Sequence, residues 1–264
     1  MNIFQAVILG LVQGLTEFLP ISSSGHLILV PYILHWPDPG LGFDVALHWG
    51  TLVAVIAYFW RDYLRYFSAF FSTFIQIGRG MNLDQKMSWY LVAGSVPAAI
   101  TGVLLEKQAE SAFRSPVLIA ATMAIFGLIL WVADSYGSKK GGEHDLSFSK
   151  ALFIGCAQAL ALIPGVSRSG STMTAGLFAG LNRESAARFS FLLLGPISFG
   201  AGLVAFKNFT GISTPLVAGF AAAVVSGLWA ISFLLDYLSR KSFRVFVWYR
   251  LLASALVLAL LILR

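Results

Sequence analysis

Long uninterrupted apolar runs constrain this chain more than any other feature of its sequence. Stretches at about Phe43–Trp60, Met87–Leu105, Pro116–Asp134, Arg188–Phe206, Pro215–Leu235 and Val245–Leu263 each approach the roughly 20 residues a helix needs to cross a bilayer. Lipid cannot solvate free backbone N–H and C=O groups, so only helices or closed barrels can span it. The apolar residues run continuously instead of alternating, which selects helices. Of 264 residues only 11% are charged and mean hydropathy is +0.80, against about a quarter charged in a soluble domain. The expected fold is an all-α polytopic membrane protein, one membrane domain over residues 1–264, with about six transmembrane helices and two re-entrant helix pairs.

The net charge of +6 could point to nucleic acid, but basic residues of membrane proteins gather in cytoplasmic loops, and that reading is preferred. Cys156 is the sole cysteine, so no internal disulfide can form, and its small apolar neighbours make it core filler. No Lys or Arg precedes Arg61, so the N-terminus lacks the basic region of a cleavable signal peptide.

Two apolar regions are broken in the middle. Met1–Trp36 is interrupted at Leu19-Pro20-Ile21-Ser22-Ser23-Ser24-Gly25, and Ala151–Asn182 at Ile163-Pro164-Gly165-Val166-Ser167-Arg168-Ser169-Gly170. Each half is too short to span, and irregular backbone at membrane depth must be buried in protein or line a wet cavity. The regions also match each other at an offset of 145, the difference between Ser22 and Ser167. Gly10, Gln13 and Leu15 align with Gly155, Gln158 and Leu160, then Ser22, Ser24 and Gly25 with Ser167, Ser169 and Gly170. This predicts repeat 1 at about 1–134, a loop at 135–150 and repeat 2 at about 151–264. Three spans separate the copies, so the second would be inverted and the two breaks would meet.

Loop charges orient the chain. With the 61–86 loop inside, the cytoplasmic side holds Arg61, Arg65, Arg79, Lys86, Lys139, Lys140, Lys150, Arg183, Arg240, Lys241 and Arg244; the other side holds only Lys107, Arg114, Lys207 and Arg264. This bias places both termini outside the cytoplasm.

The ionisable residues at the breaks are Glu17, His26 and Arg168. Charge at membrane depth is costly and faces a partner or a cavity, so a Glu17–Arg168 pair could simply lock the repeats together. Such a lock leaves Ser22, Ser23, Ser24, Ser167, Ser169, Ser171 and Thr172 without a role. Hydroxyls, a guanidinium fork and two helix N-termini, expected at about Gly25 and Gly170, make a phosphate site. Ser24 and Ser169 fit helix capping and phosphate contact equally well. Ser23, His26, Glu17 and Arg168 together offer a nucleophile, a proton carrier, an orienting acid and a charge clamp. His48 reads as a packed histidine in a spanning helix, and no metal-ligand spacing joins it to His26, His35 or His144.

The run Gln13-Gly14-Leu15-Thr16-Glu17-Phe18-Leu19-Pro20-Ile21-Ser22-Ser23-Ser24-Gly25-His26 resembles the first signature of the undecaprenyl-diphosphatase (bacitracin-resistance) family. Pro164-Gly165-Val166-Ser167-Arg168-Ser169-Gly170-Ser171-Thr172 resembles its second, and Phe43-Asp44-Val45-Ala46-Leu47-His48-Trp49-Gly50-Thr51 is similar to a further family stretch. The resemblance covers essentially the whole chain. It implies hydrolysis of undecaprenyl diphosphate to the monophosphate in the bacterial cytoplasmic membrane, recycling the carrier for peptidoglycan, with bacitracin tolerance. It implies functional positions at Glu17, Ser23, His26, Arg168 and Thr172, with Ser22 and Ser167 beside them. A site opening to the outer face and a divalent cation, usually Mg²⁺, are also implied. Some members carry glutamate where this chain has Gln13; a metal would then rest on Glu17 with the Gln13 carbonyl, although a helix-packing role for Gln13, mirrored by Gln158, fits as well.

The resulting expectation is phosphoanhydride hydrolysis, with Ser23 attacking, His26 taking its proton and Glu17 orienting His26 or binding metal. Direct attack by His26 is the alternative. The partners are undecaprenyl diphosphate and the bilayer, not nucleic acid; a homo-oligomer is compatible with the sequence. The rival reading is a transporter or lipid flippase that binds phosphate without cutting it, since inverted repeats with broken helices suit transporters.

Overall fold

The computed structural model describes residues 1–75, 80–105, 115–138, 140–205 and 211–263. Arg79, Lys107, Arg114, Lys139, Lys207 and Arg264, used above for orientation, and the expected helix end at Phe206 lie outside these residues. The helices are α1 (Ile3–Phe18), α2 (Ser23–Leu34), α3 (Leu41–Tyr58), α4 (Trp60–Ile75), α5 (Leu83–Leu104), α6 (Pro116–Tyr136), α7 (Phe148–Ala159), α8 (Arg168–Phe178), α9 (Arg183–Ala205), α10 (Thr214–Arg240) and α11 (Arg244–Ile262). Short 3₁₀ turns lie at Glu143–Asp145 and Leu160–Leu162. The chain is an all-helical, multi-pass membrane protein: among the described residues five helices are long and apolar enough to cross, or six when the bent α3–α4 pair is one span. Each of the six expected spans falls on one of these helices.

One expected loop is partly helical. Within 61–86, residues up to Ile75 belong to α4, which turns 81° from α3 at Phe59. Its apolar residues are mostly aromatic and are interrupted by Arg61, Asp62 and Arg65, so the continuous-run criterion missed an amphipathic helix. Phe70 and Phe74 pack on Trp89 of α5, with ring centroids 5.0 and 6.1 Å apart.

The two short helix pairs are clasped by distant spans. α1 runs along α10, and α7 along α5. Glycine permits both approaches: a methyl on Gly10 would sit 2.1 Å from the Gly219 carbonyl oxygen, and one on Gly155 2.4 Å from that of Gly94. Close backbone contact through small residues is how helices associate when lipid supplies no hydrophobic drive. The glycines that aligned in the sequence thus occupy equivalent contacts.

Ion pairs gather several helix ends at one end of the bundle. Arg188 reaches Asp62 (2.7 Å) and Glu143 (2.6 Å), Arg65 reaches Asp62 and Asp84, and Arg183 meets Asp134 at 2.5 Å. Asp134 also accepts from the Phe243 N–H at 3.1 Å. The α4 and α5 starts, the α6 end, the α9 start and the α10–α11 turn therefore share one end, the segments that the charge count put on a single side.

Candidate active site

Both breaks use one local device. Ser22 and Ser167 take left-handed φ values of 76° and 73°, uncommon for residues with a Cβ. Each turns the chain and caps the next helix: Ser22 Oγ accepts from the Gly25 N–H at 3.4 Å, Ser167 Oγ from the Gly170 N–H at 3.0 Å. The helices therefore start at Ser23 and Arg168, two residues before the expected Gly25 and Gly170. The caps are Ser22 and Ser167, not Ser24 and Ser169. Ser24 stands 3.5 Å from the Ser22 hydroxyl, and Ser169 donates to the Leu19 carbonyl at 3.0 Å. The Gly165 N–H donates to Ser22 Oγ at 3.0 Å, so the loops meet and their hydrogen bonds cross.

Glu17, at the end of α1 and only 7% exposed, is where both helix starts converge. Arg168 Nη2 donates to its Oε1 at 2.9 Å, and the Ser23 hydroxyl to its Oε2 at 2.5 Å. Gln13, one turn back, donates to Oε2 at 3.1 Å. Arg168 also donates through Nη1 to the Ser190 carbonyl at 2.9 Å. Thr172 donates to the Arg168 carbonyl at 2.8 Å and lies 2.6 Å from the Ser190 hydroxyl, tying the α8 start to α9. The Glu17–Arg168 contact weighed as a lock is thus present, but the acid is shared with a hydroxyl.

The expected Ser23–His26 pairing is not formed. His26 Nδ1 is 2.7 Å from the Ser22 carbonyl, an acceptor only, so that nitrogen carries a proton, and Nε2 pairs with the Tyr249 hydroxyl 2.6 Å away. The ring also stacks on Tyr249 at 5.6 Å. Ser23 begins a regular helix instead of lying in the loop, which aims its side chain at Glu17 while His26 faces α11. The carboxylate, not the imidazole, is the hydroxyl's partner.

Five residues were missed or read differently in the sequence. His48, taken as packing, is half-exposed and sets Nε2 3.8 Å from Glu17 Oε2. Ser190 and Tyr249 carry no motif signal. Arg250 does: a lone arginine in an apolar span marks function or a partner. Cys156, read as core filler, is exposed and lines a groove of about 380 Å³ with Phe126, Phe153 and Phe178.

A family profile described as bacitracin resistance protein BacA matches residues 6–256. The chain belongs to that family. It is 52% identical over 266 residues to the undecaprenyl-diphosphatase of Moorella thermoacetica, covering all of both chains. It is 48% identical to that of Pelotomaculum thermopropionicum, over 98% of this chain and 97% of the relative. The Gemmatimonas aurantiaca undecaprenyl-diphosphatase is also 48% identical, over 99% and 98%.

The two stretches that resemble the family's signatures thus coincide with the two capped helix starts and Glu17. Metal donors are sparse there: among the described residues no three His, Cys, Asp or Glu side chains gather as ligands. Gln13 Oε1 is buried with no hydrogen-bond partner, yet so is Gln158 Oε1, whose amide N–H donates to the Gly94 carbonyl at 3.3 Å. The donors Glu17 and Gln13 suit an ion that keeps most of its ligands from water and phosphate, as Mg²⁺ does, and not an all-protein cage.

Proposed function

We propose that this chain hydrolyses undecaprenyl diphosphate to undecaprenyl phosphate and inorganic phosphate. The observation that carries this reading is the convergence of Ser23 and Arg168, first residues of two facing helices, on the single carboxylate of Glu17. A phosphate lodged there meets two positive helix ends and a bidentate cation. Serine is a weak nucleophile until a base takes its proton, and Glu17 Oε2 already accepts the Ser23 hydroxyl. Ser23 Oγ attacks the terminal phosphorus, its proton passes to Glu17, and the anhydride bond to the lipid phosphate breaks. Water then cleaves the phosphoserine, and Arg168 balances charge on the phosphoryl oxygens throughout. His26, held between Ser22 and Tyr249, orients the first loop in this scheme. A divalent cation, Mg²⁺ by preference, would be held by Glu17, the Gln13 carbonyl and phosphate oxygens, and would neutralise the diphosphate. The prenyl chain would lie along apolar helix surfaces such as the groove beside Cys156.

We further infer that residues 1–134 and 151–264 form inverted repeats. The shared offset, the matching positive-φ caps and the three spans between the breaks, with the bent α3–α4 pair counted as one, support this. The clustered basic end faces the cytoplasm, in the bacterial inner membrane, and the site opens to the other side. Cysteine labelling that puts 207–214 on the same side as 236–244 would remove the span between them, and with it the inverted repeat.

Purified protein in detergent should release phosphate from undecaprenyl diphosphate with no membrane to cross. A transporter would bind without release. Rapid acid quench should trap phosphate on Ser23; a phosphohistidine at residue 26 that persists in Ser23→Ala would overturn the assignment.

A further inference from the structure

We propose that Arg250 is a positioning residue of this phosphate site, one guanidinium holding both broken loops so that Ser23 and Arg168 reach Glu17 together. The inference rests on the phosphatase reading above. Arg250 is fully buried in α11. Its Nη1 donates to the Pro20 carbonyl of the first break at 3.1 Å. Its Nη2 donates to the Gly165 and Val166 carbonyls of the second break at 2.8 and 3.1 Å, and Nε to the Met123 carbonyl of α6 at 2.9 Å. Every hydrogen bond it makes among the described residues ends on a backbone carbonyl, none on a carboxylate.

Breaking a helix at membrane depth strands carbonyls that neither lipid nor the helix can satisfy. The five N–H donors of arginine, fixed in one plane on three nitrogens, can reach acceptors on several sides at once, whereas lysine's three donors radiate from one nitrogen and cannot span both loops. The acceptors straddle the two loops, so the guanidinium sets the spacing between the α2 and α8 starts. Room for it is made by Gly170, where a Cβ would sit 3.0 Å from Nη1, and by Gly127, where one would sit 3.3 Å from the Arg250 Cβ. Thr122 occupies the matching place, six residues into α6 as Arg250 is into α11, and donates to the Pro164 carbonyl at 2.7 Å. Each late helix thus latches the break of the other half, and Arg250 latches both. Its charge, opposed by no carboxylate in contact, also adds to the positive potential of the helix ends.

The test compares Arg250→Lys and Arg250→Met with Asp134→Asn in full-length protein in detergent. Asp134→Asn weakens the Arg183 and Phe243 contacts away from the site. Turnover and KM on undecaprenyl diphosphate are measured beside melting temperature. Misplacing reacting groups by about 1 Å costs on the order of 10²-fold, so Arg250→Lys should lower kcat about 10²-fold with KM within a few-fold. Asp134→Asn should keep its kcat per folded molecule even where it melts lower. Unchanged kcat in Arg250→Lys, or the same kcat loss in Asp134→Asn, would overturn the positioning role. Should neither Arg250 variant fold, Thr122→Val, which releases only the second break, carries the test: kcat about tenfold lower supports the latch and unchanged kcat sinks it. Wild-type protein that releases no phosphate would instead sink the phosphatase reading.

Discussion

The break at residues 19–25 and the break at residues 163–170 bend at serines of nearly the same left-handed φ and cap their helices with the same hydroxyl. What the bend delivers differs. The first helical position is Ser23 in one and Arg168 in the other; the third position after it is His26 in one and Ser171 in the other. Glu17 is matched by Leu162 at the same offset. One half brings the acid, hydroxyl and imidazole, and the other brings the cation. The two breaks present two similarly capped helix N-termini, and in the proposed scheme dividing the side chains between them gives a phosphate a reactive face and a clamping face. A phosphatase needs that asymmetry, because attack and charge balance act on different sides of one phosphorus.

Removing the reactive side should cost most. Ser23→Ala should lower kcat about 10⁴-fold or more, as loss of a nucleophile does, with the protein still melting cooperatively; a loss under tenfold would reduce Ser23 to a phosphate ligand. On the clamping side, Arg168→Lys keeps charge and loses the fork, and kcat should fall about 10²-fold, in the range for one transition-state donor. Near-normal turnover there would return the Glu17–Arg168 pair to a structural lock. His26→Gln tests whether the imidazole belongs to the reaction: with both ring nitrogens engaged away from Ser23, the loss should stay near tenfold. A loss equal to that of Ser23→Ala would restore His26 as the base. The packing half of the comparison is probed by Gly155→Ala and Gly10→Ala, each forcing a methyl against a carbonyl. Each should destabilise by about 1–3 kcal/mol, as overpacking does, read as melting in detergent, with Gly10→Ala the worse.

How much of this was legible follows from range. The spans were, because crossing a bilayer is a matter of local length and polarity, and so were both breaks, because proline, glycine and serine clusters interrupt apolar runs. The amphipathic α4 was not, since its aromatic residues are interrupted by charges in its first turns and by serine and threonine after them. The helix starts slipped by two residues, because Ser22 and Ser24 are chemically alike and only the backbone angle decides which one caps.

By itself the sequence determined a helical membrane protein with two broken re-entrant regions and the inventory of side chains at those breaks. Only the tertiary structure decided which of them meet. Ser23 could reach His26 three residues on or Glu17 six residues back, and both are sequence neighbours. It turns to Glu17 because its helix begins at residue 23, not 25, while His26 is drawn off by Tyr249, 223 positions away. Arg168 lies 151 positions from Glu17, and Arg250 joins loops 85 and 230 positions away. Such contacts depend on how α1 packs on α10 and α7 on α5, and no local pattern encodes that packing. Composition selects the solvent and local pattern the helices, but the geometry of a site built between two halves exists only once the halves have packed.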